Sequence, residues 1–141
     1  GDYYNMRGES IGARAACFDS FVRQAECPTI AIGDGGNEIG MGNIYEALAQ
    51  LDINASATKV DELCIADVSN WGAYGLMAFL SIWNDKDLLA DVVPLDILKY
   101  LSELGSVDGV TRENELTEDG LNVKEGESIL AELRSLIGYA N

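Results

Sequence analysis

The chain has 141 residues, 48% apolar and 23% charged, proportions that suit one folded domain able to bury a core without disulfides or a structural metal. Nine Lys and Arg against 24 Asp and Glu give a net charge of −15, which repels nucleic-acid phosphates and anionic membranes alike. His is absent, so Ser-His-Asp and Cys-His catalysis, His-ligated zinc and His-ligated haem are excluded, and acid–base work falls to carboxylates, Lys, Tyr or Cys.

From Gly12 to Glu26 the apolar residues Ala16, Cys17, Phe18, Phe21, Val22 and Ala25 recur with helical spacing. Cys27-Pro28 ends that helix, because the residue before proline disfavours the α region. Thr29-Ile30-Ala31-Ile32 then reads as a short buried strand. Five glycines fall between 33 and 42, and helical spacing resumes from Asn43 to Leu51.

A second cycle follows. Glu62 to Val68 reads as a strand, Ser69-Asn70 as a turn, and Trp71 to about Asn84 as a helix apolar nearly all round, hence expected to be buried on several sides. Its apolar run, Trp71 to Trp83, is well short of the roughly 20 residues that span a bilayer. Asp91-Val92-Val93 suits a short edge strand, Pro94 starts a helix that Gly105 ends, 106–126 reads as an acidic surface loop, and Glu127 to Ile137 as an amphipathic helix. Cys17, Cys27 and Cys64 lack C-x-x-C spacing and read as reduced thiols buried in apolar surroundings, which implies a cytoplasmic-type compartment.

Strands alternating with helices predict an α/β fold: three layers, a mostly parallel sheet with helices on both faces. Two firm strands, even with Tyr3-Tyr4-Asn5-Met6 and Val92-Val93 added, make a thin sheet for five helices, and parallel strands need both faces covered. The chain also opens on Gly1, not Met. Residues 1–141 are therefore expected to be a single α/β domain or the C-terminal half of a larger doubly wound one. The missing strands would come from an upstream half or from a second copy in a homo-oligomer.

The informative stretch is Gly33-Asp34-Gly35-Gly36-Asn37-Glu38-Ile39-Gly40-Met41-Gly42, lying between a strand and a helix, where open α/β sheets bind ligands. A dinucleotide fingerprint beginning at Gly33 would need glycine where Glu38 stands, so no nicotinamide cofactor is expected. Ile32-Gly33-Asp34-Gly35-Gly36-Asn37-Glu38 resembles the GDGxND motif of haloacid-dehalogenase-type phosphohydrolases, in which two acids hold Mg²⁺. That family also needs a nucleophilic aspartate on an early strand, and Asp108-Gly109-Val110-Thr111 follows none. A non-catalytic module binding an amino acid or a metal is a third reading.

Matches beyond the loop favour another family. Tyr4-Asn5-Met6-Arg7-Gly8 comes first, then Pro28 to Asn43 and Val68-Ser69-Asn70-Trp71-Gly72-Ala73-Tyr74. Val107-Asp108-Gly109-Val110-Thr111 and Thr117-Glu118-Asp119-Gly120-Leu121 follow in order. Together these resemble the D-glutamate cyclase-like family, which comprises the C-terminal domain of the animal mitochondrial enzyme and stand-alone microbial relatives. The resemblance spans nearly the whole chain. It implies a small amino-acid substrate, cyclisation of D-glutamate to 5-oxo-D-proline with loss of water, a full domain about twice this length, and a mitochondrial location for an animal homologue.

That chemistry needs a base for the α-amine, a proton for the leaving oxygen, and stabilisation of the oxyanion. Asp34 and Glu38 are the candidates for acid–base work and for holding a divalent cation (Mg or Mn), with Asn37 orienting the substrate. Gly35 and Gly36 would offer backbone to the substrate, and Arg7 would clamp a carboxylate. Asn70, Trp71 and Gly72 would form a second wall.

Overall fold

The fold is taken from a computed structural model, which describes residues 2–5 and 7–139. The chain forms two compact units that meet in sequence after Ser69. It is mixed helix and strand with a small parallel sheet, an α/β organisation in the broad sense expected.

The first unit opens with an isolated antiparallel bridge between Tyr4 and Ser10; the expected strand there also includes Met6, outside the described residues. Helix α1 (Asp19–Gln24) is only six residues long. The expected helix over 12–26 is cut short because nothing rewards its apolar face: α1 buries no residue, and Phe18 and Phe21 are exposed. Short helices depend on such burial, since propensity alone is marginal.

Strand β1 (Ile30–Gly33) pairs in parallel with β2 (Glu62–Ile65), Ile30 opposite Glu62 and Gly33 opposite Ile65. The crossover between them holds the Gly-rich loop, a 3₁₀ turn (Met41–Ile44) and a one-turn helix α2 (Tyr45–Leu48), shorter than the helix expected to reach Leu51. Met41, Leu48 and Val68 are the buried apolar residues of this unit.

The second unit is built on α3 (Ser69–Asn84), α4 (Pro94–Glu103) and α5 (Val123–Leu136). Its core is Tyr74, Ala78, Leu89 and Leu130, flanked by Trp71, Met77, Val92, Leu133 and Ile137. The helix beginning near Trp71 is buried on one face and not all round. Phe79, Ile82 and Trp83 are exposed, Trp83 to 86%, because the packed partners cover only the Tyr74–Ala78 side.

No strand forms over Asp91–Val93. The expected loop over 106–126 instead holds a hairpin, β3 (Thr117–Glu118) with β4 (Leu121–Asn122). Asp119 and Gly120 turn it with φ of 51° and 79°, the two positive values a type I′ turn requires. Helix α5 starts four residues before its expected Glu127, because Asn122 accepts the Lys124 N–H at 3.0 Å and caps it there.

The thiols also differ from expectation. Cys17 and Cys27 are exposed and Cys64 half-buried, all three free. Apolar neighbours in sequence do not bury a residue when the segment lacks a packing partner.

Candidate functional site

Strand β1 ends at Gly33 and hands the chain to the loop, so Asp34 leaves the carboxyl end of the sheet. Its Oδ2 accepts both the backbone N–H of Ser69 at 2.9 Å and the Ser69 hydroxyl at 2.5 Å. Glu38 folds back on the same loop. Its Oε1 accepts the Gly35 N–H and its Oε2 the Gly36 N–H, each at 2.8 Å.

The structure thus brings the two acids into one half-buried turn. Burial pushes the Asp34 carboxyl upward, but bonds from the Ser69 hydroxyl and the Glu38 side chain, then from the Ser69 and Gly35 amides, outweigh it and hold the group below its ordinary value. Asp34 is accordingly an ionised carboxylate at neutral pH, able to accept a proton.

The other residues expected here are placed as follows. Asn37 donates from Nδ2 to the Tyr4 carbonyl at 3.0 Å, tying the N-terminal segment to the loop. The Gly35 and Gly36 amides, expected to face a substrate, are occupied by Glu38. Arg7 is exposed, its N–H donates to Asn5 Oδ1 at 3.0 Å, and no bond joins it to Asp34, Asn37 or Glu38 among the described residues.

The remaining glycines of the loop act on its other side. Gly40 and Gly42 both donate N–H to the Thr58 carbonyl, at 3.0 and 3.1 Å, and the Gly36 carbonyl accepts from Ser56 at 2.9 Å. A Cβ on Gly42 would lie 2.6 Å from the Ala57 carbonyl atoms and the Thr58 oxygen, so only glycine permits this approach. The glycine pattern therefore pins segment 56–58 along the loop.

Asn70, Trp71 and Gly72 belong to the second unit. There Glu118, 6% exposed, receives Asn70 Nδ2 at 3.0 Å, Trp71 Nε1 at 3.1 Å and the Tyr74 hydroxyl at 3.4 Å, while Gly72 is buried in α3. Burial first, and then the charge and hydrogen bond of Glu118, push the Tyr74 phenol up to about 12. Sequence reasoning missed Glu118 because its partners lie 44 to 48 residues away.

Asp108 was likewise missed as an anchor. It accepts the N–H groups of Val110 (2.8 Å), Thr111 (2.9 Å) and Gly120 (2.9 Å) and the Thr117 hydroxyl (2.7 Å). Burial opposes its charge, but these four donors prevail and hold its carboxyl at about 2. Saturated in this way, Asp108 has no free lone pair for the nucleophilic role a phosphohydrolase would need.

As a cation site the loop offers two carboxylates, and no group of three or more Cys, Asp or Glu side chains stands together among the described residues. Mg²⁺ and Mn²⁺ favour six oxygens, and three of the four carboxylate oxygens here already accept hydrogen bonds. The donor set is a poor fit for a resident divalent ion.

No helix among the described residues is long and apolar enough to cross a membrane. Compared with known proteins, residues 1–134 match the family described as D-glutamate cyclase-like, C-terminal. A human protein, "D-glutamate cyclase, mitochondrial", is 39% identical over 90 residues, covering 58% of this chain and 15% of that protein. The chain thus spans about 15% of the length of this curated relative.

Proposed function

From the premise that this chain belongs to the D-glutamate cyclase-like family, we propose that it carries acid–base machinery for closing D-glutamate to 5-oxo-D-proline with loss of water. The observation that carries the reading is the Asp34–Glu38 pair in the turn beyond β1, with Asp34 held ionised by Ser69.

The substrate's α-amine must lose a proton as its nitrogen attacks the side-chain carboxyl carbon, and a carboxyl oxygen must leave as water. Asp34 is the base that takes the amine proton. Glu38, fixed beside Asp34 by the Gly35 and Gly36 amides, relays that same proton onward to the departing oxygen, which leaves as water. Asn37 fixes the approach of the N-terminal segment to the pair.

Family membership also supports reading the two parallel strands as part of a wider, doubly wound sheet. Ile30 on β1 and Ile65 on β2 are each 54% exposed, and apolar parallel strands are ordinarily covered on both faces. The free, exposed thiols of Cys17 and Cys27 suit a reducing compartment, and the human relative's name places that protein in mitochondria.

The test is product formation. Incubated with D-glutamate, the chain should yield 5-oxo-D-proline, detected by chiral chromatography above the uncatalysed background, and should do so equally in EDTA. Absence of product would remove the catalytic reading, and loss of product in EDTA alone would restore a divalent cation to the site.

A further inference from the structure

The first turn of α3 is held by two carboxylates that lie far apart in sequence. Asp34 Oδ2 accepts the Ser69 N–H at 2.9 Å, and Ser69 is the first residue of the helix. The first amides of a helix have no partner within it, and α3 has no acid of its own in its first turn. Asp34 therefore satisfies a donor that the helix leaves open. One residue on, Glu118 takes over. Its Oε1 accepts Asn70 Nδ2 and the Tyr74 hydroxyl, and its Oε2 accepts Trp71 Nε1.

The Glu118 carboxylate is itself built into place. Glu118 ends β3, and Asp108 grips the hairpin on both sides of it, accepting the Thr117 hydroxyl and the Gly120 N–H on one oxygen. Behind it runs α5, where a Cβ on Gly126 would lie 2.3 Å from Glu118 Oε2 and 3.1 Å from Trp71 Nε1. Glycine at 126 leaves the space that the carboxylate fills. A hairpin this short is marginal by itself, and a glycine inside a helix weakens it. Together they set one buried carboxylate against three donors from the start of α3.

We propose that Glu118 is a positioning residue for the base Asp34: by holding Asn70, Trp71 and Tyr74 it keeps the first turn of α3 wound, with the Ser69 N–H and hydroxyl aimed at the Asp34 carboxylate. Helix ends fray where nothing ties them. A frayed first turn would withdraw both Ser69 donors and leave the Asp34 carboxylate free to turn away from the α-amine. Glu118 is spent on α3 and acts through Ser69. The catalytic consequence rests on the function proposed above, whereas the hold on Ser69 rests on the hydrogen bonds alone.

The test is amide hydrogen exchange read by NMR, beside the rate of 5-oxo-D-proline formation. In the wild type the Ser69 amide should be protected, and that protection reports the Asp34 bond, since no partner within the helix covers it. Glu118→Gln should lower protection at Ser69 at least about tenfold, as expected for loss of charged hydrogen bonds, and leave the core residue Leu130 within about twofold. Its kcat should fall about ten- to a hundredfold with KM within about twofold, the pattern of a lost orienting contact. Gly126→Ala, which keeps Glu118 but displaces its carboxylate, should act in the same direction, and it decides the matter if Glu118→Gln does not fold. An unprotected Ser69 amide in the wild type, unchanged Ser69 protection or kcat in the folded variant, or equal loss at Ser69 and Leu130 overturns the proposal. The two readings fail separately. A wild type that forms no product, with Ser69 protection still dependent on Glu118, removes only the cyclase reading, whereas product formation unaffected by the variant removes only the positioning role.

Discussion

Asp108 shows what a carboxylate is worth when four donors converge on it. Its carboxyl is near 2 in the folded chain against an ordinary 3.8, so the ionised form stabilises the fold above about pH 4 and the benefit is lost as pH falls towards 2. The loss is roughly 2 kcal/mol. Tyr74 gives the opposite limb. Its phenol is raised from 10.0 to about 12, so its contribution is complete below pH 10 and disappears as pH climbs to 12. Urea midpoints measured across pH should fall at both ends; Asp108→Asn should flatten the acid limb and Tyr74→Phe the alkaline one. Midpoints that fall identically in the variants would show that other groups carry the dependence.

At the same scale, Asp34 and Glu38 were legible as a pair, because four residues within a glycine turn keep two side chains close. The capture of the Gly35 and Gly36 amides by Glu38 was not legible, since it depends on the backbone path of the turn.

Among elements, β1, β2, α3 and α4 could be read from periodicity because their apolar residues are bounded by strong stop signals such as Pro94 and Gly105. Helix α1 was overextended because period alone does not say whether anything covers the apolar face. The β3–β4 hairpin was passed over because its strands have two residues each, although Asp119-Gly120 is the dipeptide such turns favour. Glycines separate the two kinds of role well. Gly42→Ala should destabilise the chain by about 3 kcal/mol and loosen segment 56–58, since its Cβ would strike backbone that cannot yield. Gly75→Ala, inside α3 with nothing within 4 Å of its Cβ, should stabilise by roughly 0.5–1 kcal/mol. Thermal melts of the two variants distinguish these outcomes by sign, and equal effects would contradict the packing described for Gly42.

For the whole molecule, the net charge of −15 is the dominant long-range term. Like charges repel across the compact state, and salt screens them over about 10 Å at 0.1 M. The melting temperature should therefore rise by several degrees between about 0.02 and 0.5 M NaCl. A flat response would mean that the acids are already paired or spread too widely to interact. The broad α/β class was legible at this scale because strand–helix alternation survives in sequence, although among the described residues only β1 and β2 pair in parallel; the division after Ser69 was not legible, since α3 begins at that residue without a break in pattern.

The measurement that bears most directly on the function is the rate of 5-oxo-D-proline formation in Asp34→Asn and Glu38→Gln, with circular dichroism confirming an intact fold. Each substitution should lower the rate by about a hundredfold or more, the usual contribution of a positioned acid or base. Wild-type rates in both folded variants would contradict the assignment of acid–base work to this turn.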